Sequence, residues 1–250
     1  MNETAQKRFL QAREAFGLRG FGQIVKAQLL LTELDESAGR SDLAGTQPLL
    51  LCEGRLLLAR AITWRAERAG ISAQYALAQR AVDVATAASH MIRQSLEGAG
   101  RDTLEGMACY YCGLAQAIAC DFGRRTDLYD VARSAIRYAR VALRLNPHVD
   151  AHGPNRLLGR IYAASEYFVR PPGDLRGPID HLRHAAEKSP SYAGNHFELA
   201  RALAIFGHAT EARQTLDALL ARDPATMAPE FSVEVAEDLA RAKSLRSELL

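Results

Sequence analysis

The chain has 250 residues, 48% apolar and 24% charged, with a formal net charge of +2. That is ordinary globular composition, and the charge is too small to imply nucleic acid as a partner. Aromatic residues make up only 7% and alanine is conspicuous, which favours close-packed helices over a β sandwich.

No uninterrupted apolar run approaches the roughly 18 residues that a membrane-spanning helix needs, so no membrane insertion is expected. Met1-Asn-Glu-Thr-Ala-Gln-Lys-Arg8 is not followed by a long apolar run, so no signal peptide is expected either. The reading is a cytoplasmic protein, with the periplasm as the alternative if a leader has been removed. Cys52, Cys109, Cys112 and Cys120 all fall in apolar, helical surroundings and read as buried, reduced thiols.

In sequence order, residues 4–16 place Phe9, Ala12 and Phe16 on one helical face, and Gly17–Gly20 breaks that helix. A second helix spans 21–34. Residues 35–47 are rich in Ser, Gly and Asp and read as a loop. Pro48 opens a long, well-buried helix to about Ala69. After Gly70, Ser72 is a fair N-cap for a helix to about Glu97. Gly98-Ala-Gly100 reads as a stop, with Asp102 or Thr103 capping an apolar helix to about Asp121. Residues 127–145 form the next helix, ended by Asn146–Pro147. The tail from Ala228 to Leu250 is a last helix that caps the stack.

The C-terminal half repeats. Leu199–Ala200, Leu203, Gly207, Ala212, Leu216, Leu219 and Asp223–Pro224 describe one helix–turn–helix unit. Leu158–Gly159, Tyr162, Leu182, Ala185 and Ser189–Pro190 describe another, and Pro190 to Pro224 is 34 residues, the period of a tetratricopeptide unit. The small residue in each first helix lets its partner approach, and each proline stops a second helix. The earlier unit carries a longer turn around Phe168–Asp174, so its second helix starts at Asp174 or at Gly177. Neither helix of a unit can bury its apolar stripe alone, so units must stack.

The fold class expected is therefore all-α: an α-solenoid or bundle of antiparallel helix pairs, tetratricopeptide-like in the C-terminal half. N-terminal helical pairs occupy 1–102. Repeats with the capping helix occupy 103–250, the whole being read as one continuous domain.

Several stretches resemble a known family. These are Ala151-His-Gly-Pro-Asn-Arg-Leu-Leu-Gly-Arg-Ile-Tyr162, Pro171-Pro-Gly-Asp174 leading to His181, the apolar helix Gly106–Ala119, and the end at Asp223–Pro224. Together they resemble the TRAP-transporter-associated T-component family over roughly 103–250. The resemblance implies a bacterial, helical, tetratricopeptide-like protein that associates with the periplasmic substrate-binding partner of a solute transporter. It also implies a structural hydrogen bond at His181. The family often has a histidine where Asn155 stands here.

Four residues are candidates for a partner-binding groove. Arg156 and Arg160 lie one turn apart on the first helix of one unit, and Phe197 and Arg201 take the equivalent places in the next. In a curved stack they point into one concave surface, with guanidinium forks suited to carboxylates and Phe197 as an apolar anchor. The partner this fits is a protein or peptide, acidic in character, or the C-terminus of a polypeptide; internal pairing of Arg156 is the competing reading. A homo-oligomer is left open.

Arg133, Arg137, Arg140 and Arg144 form a second stripe that reads as a solvated face. Cys109-Tyr-Tyr-Cys112 has redox or zinc spacing but sits inside an apolar helix. His148, Asp150 and His152, with His181 and His184, are a possible zinc set whose spacing matches no signature. Phosphate-loop, dinucleotide, nucleophile-elbow and zinc-protease motifs are missing. The expectation is a non-catalytic protein–protein interaction scaffold, not an enzyme, with no cofactor and no metal. An accessory component of a TRAP-type transporter and a metal- or thiol-dependent enzyme are the alternatives.

Overall fold

A computed structural model describes residues 3–18, 21–38, 47–120, 125–164, 177–228 and 232–249. Among them are eleven α-helices, one short 3-10 helix and no strand. The helices are α1 (Glu3–Gly17), α2 (Phe21–Ala38), α3 (Pro48–Arg68), α4 (Ile71–Ser95), α5 (Gly98–Cys120) and α6 (Arg125–Leu145). They continue as α7 (Val149–Ala164), α8 (Pro178–Lys188), α9 (Ala193–Ile205), α10 (Ala209–Leu220) and α11 (Ser232–Glu248), with the 3-10 turn at Pro224–Thr226. The protein is all-α, built from packed sequential helix pairs. Among the described residues no helix is long and apolar enough to cross a membrane.

Two compact units divide the sequence, 1–147 and 148–250. Residue 102, the last of the expected N-terminal helical pairs, lies inside α5, which begins at Gly98. Gly98 sits at φ 73, so one left-handed residue turns the backbone and the next helix starts at once. Leu96 and Glu97 separate the two helices, Gly98-Ala-Gly100 lies in the first turn of α5, and the start expected at Asp102 or Thr103 moves back. Likewise α2 runs four residues past the expected Leu34, with Ser37 Oγ donating to the Leu34 carbonyl at 2.8 Å. Residues 39–46 of the expected loop lie outside the described residues, as does the Phe168–Asp174 turn.

In the first unit α1 packs on α2, α3 on α4, α4 on α5 and α5 on α6. Phe9, Leu31, Leu34, Leu58 and Ile62 form its main core. Pro48 stands in the first turn of α3, where its missing N–H costs nothing. A methyl group at Gly106 would lie 2.6 Å from Asn146 Cβ, so this glycine lets α5 meet the end of α6.

In the second unit α7 packs on α8, α8 on α9, α9 on α10, and α11 covers both α9 and α10. Gly159 is the close-approach residue: a Cβ there would lie 2.4 Å from Leu182 Cγ on α8. Of the two starts considered for α8, the Gly177 one is right: Gly177 is the N-cap and its N–H donates to Asp180 Oδ2 at 3.1 Å. Gly207, at φ 81, ends α9. The N–H groups of Gly207 and His208 return to the Ala204 and Leu203 carbonyls at 3.1 and 2.8 Å, the bonding of a Schellman cap. At Asp223–Pro224 the Asp223 side chain accepts from Ala225 N–H at 2.9 Å and starts the 3-10 turn.

The entry to α7 is unusual. Asp150, Ala151 and His152 have φ of 46°, 54° and 60°, a left-handed turn of three non-glycine residues. Left-handed geometry costs an L-residue roughly 1–2 kcal/mol, and it normally occurs singly. The right-handed helix follows, with Pro154 tolerated near its beginning.

Candidate functional site

Arg156 lies on α7 and turns inward. Its Nη1 donates to Asn195 Oδ1 at 2.7 Å and to the Ala151 carbonyl at 3.2 Å. Nη2 donates to the Asp150 carbonyl at 3.0 Å. The guanidinium also lies 4.7 Å from the centre of the Tyr192 ring. Only 9% of the residue is exposed. Asn195, fully buried on α9, donates from Nδ2 to the Ala151, Ala185 and Ser189 carbonyls at 3.0, 2.9 and 3.3 Å. These two side chains bring donors to the carbonyls of the left-handed turn and to the Ala185 and Ser189 carbonyls at the end of α8, which also accept from Ser189 and Tyr192 N–H at 3.0 and 3.2 Å. Of the two readings weighed for Arg156, the internal one describes its position.

Arg160, one turn further on, meets Arg201 at a single carboxylate. Glu198 on α9 is 4% exposed. Its oxygens lie 3.5 Å from Arg160, 2.8 Å from Arg201 and 3.9 Å from Arg241, which comes from α11. Arg201 Nε also donates to Glu198 Oε2 at 2.8 Å. Burial by itself raises the carboxyl of Glu198, but the three guanidiniums and the Arg201 hydrogen bond outweigh it and hold the group below its ordinary range. Arg241 makes a further pair with Asp238 at 3.2 Å. Among the described residues three cations therefore face two carboxylates, Glu198 and Asp238. The side chains of Arg160 and Arg201 are each 35% exposed and that of Arg241 is 55% exposed, so part of each side chain faces water.

Phe197 is buried in the core that includes Ala193, Ala200, Leu216 and Val235. Arg241 lies over its ring at 4.3 Å. The aromatic ring thus supports the cation cluster from below. The structure gathers Arg160 and Arg201, places Arg156 beneath the α7 entry turn, and puts Phe197 under Arg241. Sequence reasoning missed Glu198, Asp238 and Arg241. Glu198 was legible, three residues before Arg201 on the same helix. Arg241 was not, because only the docking of α11 brings it there.

His181 pairs apart from the other histidines of the set. His181 Nδ1 lies 3.0 Å from Asn155 Oδ1, both side chains buried, in keeping with the structural bond implied at His181. His184 instead stands edge-on to His152, ring centres 6.0 Å apart. His152 Nε2 is 3.2 Å from His148 Nδ1. Burial lowers the pKa of His152, and His148, His184, Lys188 and Arg156 lower it further. Among the described residues no three His, Cys, Asp or Glu side chains are arranged to hold a metal ion.

Cys109 and Cys112 are buried in α5. Burial is the main cause that pushes their thiols up to about 12 and about 11. At neutral pH both are protonated, which is the state of a packing cysteine and not of a nucleophile.

No family model and no curated protein matches this sequence, so the resemblance to the T-component family gains no support there. Among solved structures the protein is similar to one titled TPR2AB-domain:pHSP90-complex of yeast Sti1. The two share 13% identity at a TM-score of 0.31, over 97% of this chain and 100% of that one. A likeness at that level transfers neither function nor binding residues.

Proposed function

We propose that the protein is a non-catalytic protein–protein interaction scaffold whose second unit takes an acidic peptide, or the C-terminus of a polypeptide, at Arg160, Arg201 and Arg241. The observation that carries the reading is the convergence of three partly exposed arginine side chains on one buried carboxylate. Glu198 holds the fork of Arg201 at 2.8 Å and gathers Arg160 and Arg241 beside it, so an incoming carboxylate would meet three cations in one place. Arg156 and Phe197 act from underneath, holding α7 and Arg241 in place.

The test is fluorescence anisotropy with short acidic peptides, each made with a free and with an amidated C-terminus. Tighter binding of the free acid, lost in Arg160→Glu/Arg201→Glu, supports the site. Equal binding by wild type and the double variant overturns it. The transporter-accessory role is favoured by one observation, the His181–Asn155 bond at the position where the resemblance implied it. It makes the acidic partner a periplasmic substrate-binding protein, and a purified protein of that class replaces the peptide in the same assay.

A further inference from the structure

We propose that the outer face of α6 in the first unit is a docking ridge for an acidic α-helix of a partner protein, one whose carboxylates recur at i, i+4, i+7 and i+11. Arg133, Arg137, Arg140 and Arg144 have that spacing. At about 100° per residue they fall within an arc of about 60°. Ala135, Ala139 and Ala142, all fully buried, hold the other side of the helix against the core.

Several arginines elsewhere find carboxylates, as Arg137, Arg140 and Arg144 do not among the described residues: Arg55 meets Asp35 at 2.6 Å, Arg183 meets Glu211 at 2.8 Å and Arg246 meets Asp217 at 2.7 Å. Between Asp130 and Leu145, α6 carries no second acidic residue. On α5, Glu105 is already held by Arg93 at 2.7 Å and Arg101 at 3.8 Å. Among the described residues no ion pair reaches Arg137, Arg140 or Arg144. Like charges one turn apart weaken a helix, so the row is a standing cost that an anionic partner would offset.

The shoulders of the ridge select the partner class. Val141 and Leu143 flank the row on its two sides, each half-buried. An amphipathic helix can set apolar side chains against them while its carboxylates meet the guanidinium forks. A phosphate backbone has nothing to place there. The net charge of +2 also gives little long-range attraction for a polyanion, so recognition must come from register.

The probe is a helical peptide of about 15 residues with glutamates at i, i+4, i+7 and i+11, measured by anisotropy at about 50 mM salt. A peptide of equal composition with the glutamates out of register is the control. We expect the in-register peptide to bind about tenfold tighter than the control, and Arg140→Glu/Arg144→Glu to remove that preference. Arg160→Glu/Arg201→Glu should leave it intact, which separates this surface from the one proposed for the second unit. Equal binding of the two peptides would overturn the ridge. So would tighter binding of a single-stranded RNA of similar length, or equal loss in both double variants.

Discussion

Arg156 Nη1 donates to Asn195 Oδ1 at 2.7 Å in the interior of the second unit. Through this bond the first helix of one repeat is tied to the first helix of the next. The same two side chains cap Asp150 and Ala151, so the left-handed entry to α7 and the α7–α9 contact are one construction.

Arg156→Ala should therefore destabilise the protein by about 2–3 kcal/mol, because buried carbonyls and Asn195 lose their donor. Arg156→Lys should recover little, since an ammonium cannot reproduce the planar fork. Arg183→Ala, at an exposed pair, should lose less than about 1 kcal/mol. Urea titration of the three variants checks the order.

Glu198→Gln should lower stability at neutral pH by about 1–3 kcal/mol. The folded carboxyl lies below its ordinary value, so its contribution is present above the unfolded pKa and disappears as pH falls through the folded one. Acid unfolding should accordingly be flatter in Glu198→Gln than in wild type. An unchanged acid profile would mean that the cluster does not depend on the charge.

His152 works in the opposite sense. Its folded pKa is lowered from 6.5, first by burial and then by His148, His184, Lys188 and Arg156. As pH drops through 6.5 the unfolded state takes up the proton first, so stability declines until the folded pKa is passed. His152→Gln should reduce the slope in that window. His196, whose pKa burial also lowers, keeps part of it. Thermal melts across this range, with histidine NMR titration of the wild type, measure both effects.

Gly159→Ala places a methyl group into Leu182 and the Pro178 carbonyl, at 2.4 and 3.0 Å. Neither the backbone of α8 nor Leu182 can withdraw cheaply, so a loss of about 1–3 kcal/mol is expected. Gly207→Ala meets open space and suffers only from its φ of 81°, with a smaller loss of about 1 kcal/mol. Melting temperatures rank the two.

Cys109 and Cys112 should resist iodoacetamide at neutral pH in the folded protein and react once it is unfolded, because burial keeps both thiols protonated. Rapid alkylation under native conditions would reopen the thiol chemistry that their spacing suggests.

The helices were legible wherever apolar residues recur at helical spacing between strong punctuation, as at Pro48, Gly70, Gly207 and Pro224. Gly98 misled, because one glycine can end a helix or turn directly into the next, and only the backbone shows which. Of Arg156, Arg160, Phe197 and Arg201, equivalent places in the repeat bring Arg160 and Arg201 to one carboxylate, Glu198. Their direction was not given by spacing. Arg156 and Arg160 are one turn apart on the same helix, yet one is buried and the other reaches water.

Local pattern alone determined the helical class, the packing stripes and the small residues at Gly159 and Ala200, because those follow from periodicity and side-chain size. Tertiary structure decided the left-handed turn at Asp150–His152, the burial of Arg156 and the arrival of Arg241 beside Glu198. Each depends on groups more than thirty residues apart in sequence finding one another, and a charged side group takes the partner that packing brings to it.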